Sequence, residues 1–130
     1  MDENALSKII IGAALEVHRE LGPGLVESVY EESLCHELHL RKLSFKRQLR
    51  VPIKYKGVSL ATPLRIDLLI EGRVIVDCKA KDTLIPGDRA QLLSYLRLSN
   101  VRLGLLINFH AIVLQQGIKR VVNNLRDSAL

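Results

Sequence analysis

Three charged residues stand where a chain normally places apolar ones. Asp67 lies inside Leu64-Arg65-Ile66-Asp67-Leu68-Leu69-Ile70, and Asp77 and Lys79 end the run Val74-Ile75-Val76-Asp77-Cys78-Lys79. A charge in a strand this apolar is costly unless something compensates it. The two-residue period of a strand puts Asp77 and Lys79 on one face and Cys78 on the other. Glu71-Gly72-Arg73 separates the runs and reads as a hairpin loop. A loop of residues 71 and 72 alone would set Asp67 opposite Val76. A three-residue loop pairs Ile70 with Val74 and Asp67 with Asp77, so that Asp67, Asp77 and Lys79 share a face and Arg65 lies opposite Lys79. The longer loop is the expected register, with Gly72 in its left-handed position.

Two carboxylates opposed across a strand pair repel each other, and a divalent cation removes that conflict. Mg²⁺ (or Mn²⁺) takes hard oxygen ligands and keeps several waters, so a few carboxylates and one backbone carbonyl suffice. The Cys78 carbonyl is in position to add a ligand. Lys79 would then stand beside a metal-bound water, to stabilise a hydroxide or the charge that builds up on an attacked phosphate. The plainer reading of the same residues is a surface salt bridge between Asp77 and Lys79.

The elements that must position these groups follow from periodicity. Apolar residues at Leu6, Ile9, Ile10, Ala13, Ala14, Val17 and Leu21 predict a helix that Gly22-Pro23-Gly24 ends. A second helix runs through Val26, Tyr30, Leu34 and Leu38 to about Arg41. Leu49, Val51, Ile53 and Tyr55 alternate with polar residues, Pro52 makes that strand an edge, and Lys56-Gly57 is a turn from which Val58-Ser59-Leu60 returns. After the hairpin, Pro86-Gly87 is a break, and Asp88 would cap a helix to about Ser99. Arg102–Phe109 is apolar enough for a central buried strand. Ala111–Gln116 reads as a further short strand and Ile118–Arg126 as a terminal helix. This order predicts an α/β fold, a small mixed β-sheet flanked by helices. No glycine-rich phosphate loop follows a strand, which disfavours nucleotide-binding α/β folds.

Gly24-Leu25-Val26-Glu27-Ser28-Val29-Tyr30 resembles the motif that names the GxxExxY protein family, part of the PD-(D/E)xK nuclease superfamily. The segments 65–69, 74–80, 90–96 and 103–109 resemble successive family blocks in family order, and the likeness covers roughly residues 5–123. The resemblance implies a restriction-endonuclease-like core, with residues 1–130 as a single PD-(D/E)xK nuclease-like domain. It implies a catalytic set of Glu27, Asp67, Asp77, Lys79 and Gln91, with Glu27, Asp67, Asp77 and the Cys78 carbonyl as metal ligands. Where the family usually has Glu this chain has Asp77, and the superfamily pattern admits either acid. Tyr30 and Tyr95 are supporting residues: Tyr30 in the core with its hydroxyl near the site, Tyr95 on the helix face of Gln91.

Charge is divided along the chain. Residues 1–39 hold eight acids against Lys8 and Arg19, whereas residues 40–130 hold seventeen bases against six acids, within a total of +5. Arg41, Lys42, Lys46, Arg47, Arg50, Lys54 and Lys56 follow one another with no intervening acid. Such a stretch suits a polyanion, so nucleic acid is the expected partner, DNA before RNA. The alternatives are a nucleic-acid-binding module that lost the reaction, and an interaction or regulatory domain whose acidic half takes a basic partner. At this size target choice would fall to a partner or a homodimer. With 48% hydrophobic and 25% charged residues the chain is neither disordered nor fibrous. No apolar run approaches the roughly 18 residues of a membrane span, so no membrane partner is expected. Met1-Asp2-Glu3-Asn4 does not begin a secretory signal. Cys35 and Cys78 are expected as free buried thiols in a reducing cytoplasm. His36 and His39 share a helix face without partners, so zinc is not expected.

Overall fold

The computed structural model describes residues 1–125. Helix α1 (Glu3–Leu21) begins where the Asp2 carboxylate accepts from the Ala5 N–H at 2.7 Å, satisfying a donor that has no partner within the helix. Its buried stripe is Leu6, Ile10, Ala13, Ala14 and Val17. It stops at Gly22, whose φ of 70° suits only glycine well, and the Gly22 N–H closes on the His18 carbonyl. Helix α2 (Glu27–Leu40) buries Tyr30, Leu34, Cys35 and Leu38. Strands β1 (Phe45–Val51), β2 (Lys54–Tyr55), β3 (Val58–Ser59), β4 (Leu64–Ile70) and β5 (Val74–Lys79) follow. Then come helix α3 (Pro86–Ser99), strand β6 (Leu103–Asn108), a 3-10 turn (Leu114–Gly117) and strand β7 (Ile118–Val122).

The main sheet has the order β1-β4-β5-β6-β7. Only the β5–β6 pair is parallel, with α3 as its crossover, and the other neighbours are antiparallel. Apolar groups fill both sides. On one, α1 and α2 pack against Leu68, Ile70, Val74, Val76, Cys78, Leu103, Leu105 and Ile107. On the other, Leu92 and Leu96 of α3 pack against Ile66, Ile75, Leu106 and Val121. This is the expected α/β architecture, a small mixed sheet flanked by helices.

The hairpin loop is the three-residue one, with Ile70 opposite Val74 and Leu68 opposite Val76. Both Glu71 and Gly72 take positive φ, 53° and 66°, so the left-handed turn begins one residue earlier than expected. Glu71 tolerates this because it is tied to Ser44, whose hydroxyl donates to its carboxylate at 2.6 Å and whose carbonyl accepts its N–H at 2.9 Å.

Three expectations are corrected. The alternating segment expected as one strand through Tyr55 is divided at Pro52, which can donate no ladder hydrogen bond. Leu49 and Val51 lie in the edge strand β1, while Lys54–Tyr55 pairs with Val58–Ser59 in a separate two-stranded ribbon. Lys56-Gly57 forms its turn, both at positive φ. Asp88 is not the cap of α3. Pro86 opens the helix, where its missing N–H costs nothing, and Asp88 reaches back from the first turn to the Ile85 N–H at 2.8 Å. At the C-terminal end the strand and helix assignments fail together. Residues 111–113 are bends, Leu114–Gly117 is a 3-10 turn, and Ile118–Val122 is a strand antiparallel to β6. The outer edge of β6 needs a partner, and the β-branched Ile118, Val121 and Val122 suit one. Gly117 makes the return feasible, since a Cβ there would lie 2.7 Å from the Asn108 carbonyl oxygen. The last residue of the expected helix, Arg126, lies outside the described residues.

One irregularity crosses two strands. Phe45 packs with the α1/α2 side, yet Leu49 and Val51, of the same parity, pack with the α3 side. In β4, Leu68 and Ile70 belong to the α1/α2 side and Ile66 to the other. Both strands change face at opposed positions, Gln48 and Asp67, which are missing from an otherwise continuous ladder. The backbone cause is Gln48, with φ of 52° inside a strand.

Candidate metal centre

Glu27, Asp67 and Asp77 each bring one carboxylate oxygen to within 4.8 Å of the other two. They come from three elements, α2, β4 and β5, and each is placed by a local device. Glu27 opens α2, and the turn before it is built by Gly24, at φ of 102°, and by Tyr30. The Tyr30 hydroxyl accepts from the Leu25 N–H at 3.0 Å and donates to the Gly22 carbonyl at 2.5 Å. Its ring lies stacked on Phe109, centroids 4.8 Å apart. The spacing of Gly24, Glu27 and Tyr30 is therefore that of a glycine turn, a first-turn acid and the side chain that ties the turn down. The Tyr30 hydroxyl, expected near the site, is consumed by that turn.

The β4–β5 ladder ends at Leu68 and Val76; Asp67 immediately precedes Leu68, and its Oδ2 accepts the Cys78 N–H at 3.0 Å. Asp77, the residue after Val76, is 6% exposed. Lys79 sets its Nζ 3.6 Å from Asp77 Oδ1, so this pair belongs to the interior end of the strand rather than to a solvated surface. Asp77 Oδ2 is buried, and among the described residues no donor reaches it.

The electrostatics follow from this crowding. Burial pushes the Asp77 carboxyl up, Lys79 pulls it partly back, and Asp67 and Glu27 push it up again, to about 7. Burial, then the charge of Asp67, also raises Glu27. For Lys79 burial acts downward, but Asp77, Glu27, Asp88 and Asp67 together outweigh it and hold the ammonium above its ordinary value. Tyr95 on α3 is close enough to feel the cluster: burial first, and then Asp77, raise its phenol. Gln91, one turn earlier on α3, is exposed.

Beside the acids lies a cleft of about 310 Å³ lined by Glu27, Ser28, Glu31, Gln48, Arg65 and Asp67. Four of these linings, Ser28, Glu31, Gln48 and Arg65, were not anticipated. Glu31 is 5% exposed, accepts from Arg47 Nε at 2.7 Å and from Gln48 Nε2 at 2.9 Å. Its one signal was its position a helical turn after Glu27, which a solvated face shares. Gln48 carried no signal. On the β1 side Arg65 stands directly across from Arg50.

The basic stretch is not a uniform face. Arg47 is committed to Glu31, and Arg41 pairs with Glu37 at 3.2 Å. Lys42, Lys46, Arg50, Lys54 and Lys56 are exposed. Lys56 lies over the Tyr55 ring, 5.4 Å from its centroid. Among the described residues no histidine or cysteine joins a group of three metal-ligating side chains. Both cysteines are free and buried. No helix among the described residues is long and apolar enough to cross a membrane.

The donor set fits a hard divalent cation. It is all oxygen, it is anionic, and it holds a buried carboxylate oxygen with no donor. Comparison with curated proteins and with solved structures finds no match. A family model described as PD-(D/E)XK nuclease superfamily matches residues 4–121, a span that contains the whole acid group.

Proposed function

The chain belongs to the PD-(D/E)XK nuclease superfamily, and on that premise we propose that it is a metal-dependent nuclease that hydrolyses phosphodiester bonds in nucleic acid. The observation that carries this reading is the convergence of Glu27, Asp67 and Asp77, with a buried oxygen of Asp77 left without a donor. These three and the Cys78 carbonyl would hold Mg²⁺ or Mn²⁺. The ion would supply an acidified water and neutralise charge on the attacked phosphate. Lys79, beside Asp77, orients that water and stabilises negative charge as it develops. Gln91 helps to position the water or the substrate, and Tyr95 walls the site from α3. Tyr30 acts on Glu27 through the turn. The free basic side chains Lys42, Lys46, Arg50, Lys54 and Lys56 hold the phosphate backbone by charge, without reading sequence. Arg65 joins them, because it lines the cleft beside Asp67.

An interaction domain with an acidic docking face has less support. Four of its seven glutamates are matched within the chain: Arg19 lies 2.7 Å from Glu16 and 3.1 Å from Glu20, Arg41 serves Glu37 and Arg47 serves Glu31. DNA is the first substrate to try, RNA the second, and a homodimer is the first assembly to test. The two free thiols suit a reducing cytoplasm.

The deciding experiment is calorimetric titration of Mn²⁺ and Mg²⁺ into the wild type and Asp67→Asn, followed by a cleavage screen over DNA and RNA. Binding by the wild type, lost in Asp67→Asn together with metal-dependent cleavage, is the expected result. Metal binding without cleavage of any substrate would favour the inactive binding module. No metal binding, with or without nucleic acid, would end the enzyme reading.

A further inference from the structure

Glutamine rarely adopts a left-handed backbone, and almost never inside a strand, because its Cβ crowds the backbone there. Gln48 does so at φ of 52°, opposite Asp67, at the one point where the β1–β4 ladder is broken. Strain of this kind persists only where the surroundings enforce it. Here the side-chain amide lies between two carboxylates. It donates to Glu31 at 2.9 and 3.1 Å and reaches Asp67 Oδ1 at 3.5 Å, the long end of a hydrogen bond. Neutralising Glu31 does not require Gln48, since Arg47 already pairs with Glu31 at 2.7 Å. What Gln48 adds is a neutral NH₂ group between acids that otherwise repel. Asp67 then has a donor at each oxygen, the Cys78 N–H at Oδ2 and Gln48 at Oδ1.

We propose that Gln48 is a positioning residue of the metal centre. Its left-handed backbone turns the amide onto Glu31, and from that anchor it fixes the Asp67 carboxylate for the ion. The inference rests on the metal-centre reading above and adds two residues to it, Gln48 and its anchor Glu31. Partners that orient a metal-ligating carboxylate are worth about 10–100-fold in metal affinity.

The test separates strain from function. Gln48→Gly removes the amide and relieves the backbone, so a merely structural Gln48 would leave metal binding untouched. Gln48→Asn tolerates the left-handed backbone but is one methylene too short to bridge. Thermal denaturation and Mn²⁺ calorimetry are measured for both variants and the wild type, without substrate. The expected result is a melting temperature for Gln48→Gly at or above that of the wild type, with Mn²⁺ bound at least about tenfold more weakly by both variants. Wild-type affinity in either variant would overturn the positioning role and leave the metal centre standing. Absence of Mn²⁺ binding in the wild type would overturn the metal centre itself, and this role with it.

Discussion

Asp77 is held ionisable at a position where ionisation is costly. A buried carboxylate oxygen with no donor has lost its hydration and gained nothing for it. Its pKa, raised from 3.8 to about 7, makes the cost visible in pH dependence. The folded chain binds this proton more tightly than the unfolded chain. The stabilisation is therefore complete below about pH 4 and is lost as pH rises through about 7. Urea unfolding of the metal-free protein should show stability falling from about pH 5 to about pH 8, and Asp77→Asn should flatten that slope. Metal binding should run the opposite way. The ion must displace the proton, so calorimetry should find Mn²⁺ affinity rising across the same interval.

At the scale of elements, two small contacts decide where the site's walls stand. The turn before α2 is held by one hydroxyl, that of Tyr30. Tyr30→Phe keeps the stack on Phe109 but leaves the Leu25 N–H and the Gly22 carbonyl without that partner. It should cost about 1 kcal/mol in chemical denaturation. It should also weaken Mn²⁺ binding, because Glu27 begins two residues after Leu25. On the other side, α3 lies directly on Gly104 of β6. A Cβ there would meet Leu92 Cδ1 at 2.9 Å, and Leu92 is fully buried. Gly104→Ala should push α3 outward and cost about 1–3 kcal/mol in thermal denaturation.

For the whole molecule, part of the uneven charge is matched internally: Glu16, Glu20, Glu31 and Glu37 of the two N-terminal helices pair with arginines. Part of the remaining positive charge lies along β1, β4 and the β2–β3 ribbon. Arg50 and Arg65 face each other across two strands with no ion pair among the described residues. Like charges so placed destabilise a strand pair, and a polyanion relieves them. Replacing both with glutamine should weaken binding to nucleic acid about equally across sequences. It should also lower the slope of log affinity against log salt by about 2. An unchanged slope, read from fluorescence anisotropy over a salt series, would place the phosphates elsewhere.

Loop-length arithmetic was enough to find the three-residue loop and its register, Ile70 opposite Val74 and Leu68 opposite Val76, but parity fails beyond it, because β4 changes face at Asp67. Gly22-Pro23-Gly24 likewise ends a helix by backbone chemistry that belongs to those residues alone. Such facts are local, and a sequence states them directly. Glu27 is different: nothing in its own segment distinguishes it from a first-turn acid, and only the resemblance of the surrounding motif singled it out. The C-terminal strand was illegible because its cause, the unpaired edge of β6, lies in another segment. The same holds for Arg41 and Arg47, which read as free bases until helix α2 supplied their acids. Glu31, Gln48 and Arg65 became site residues only when three elements met. Periodicity is written within a segment, whereas pairing, burial and the neutralisation of charge are relations between segments. The tertiary structure alone decided which charges were matched and which were left unmatched among the described residues.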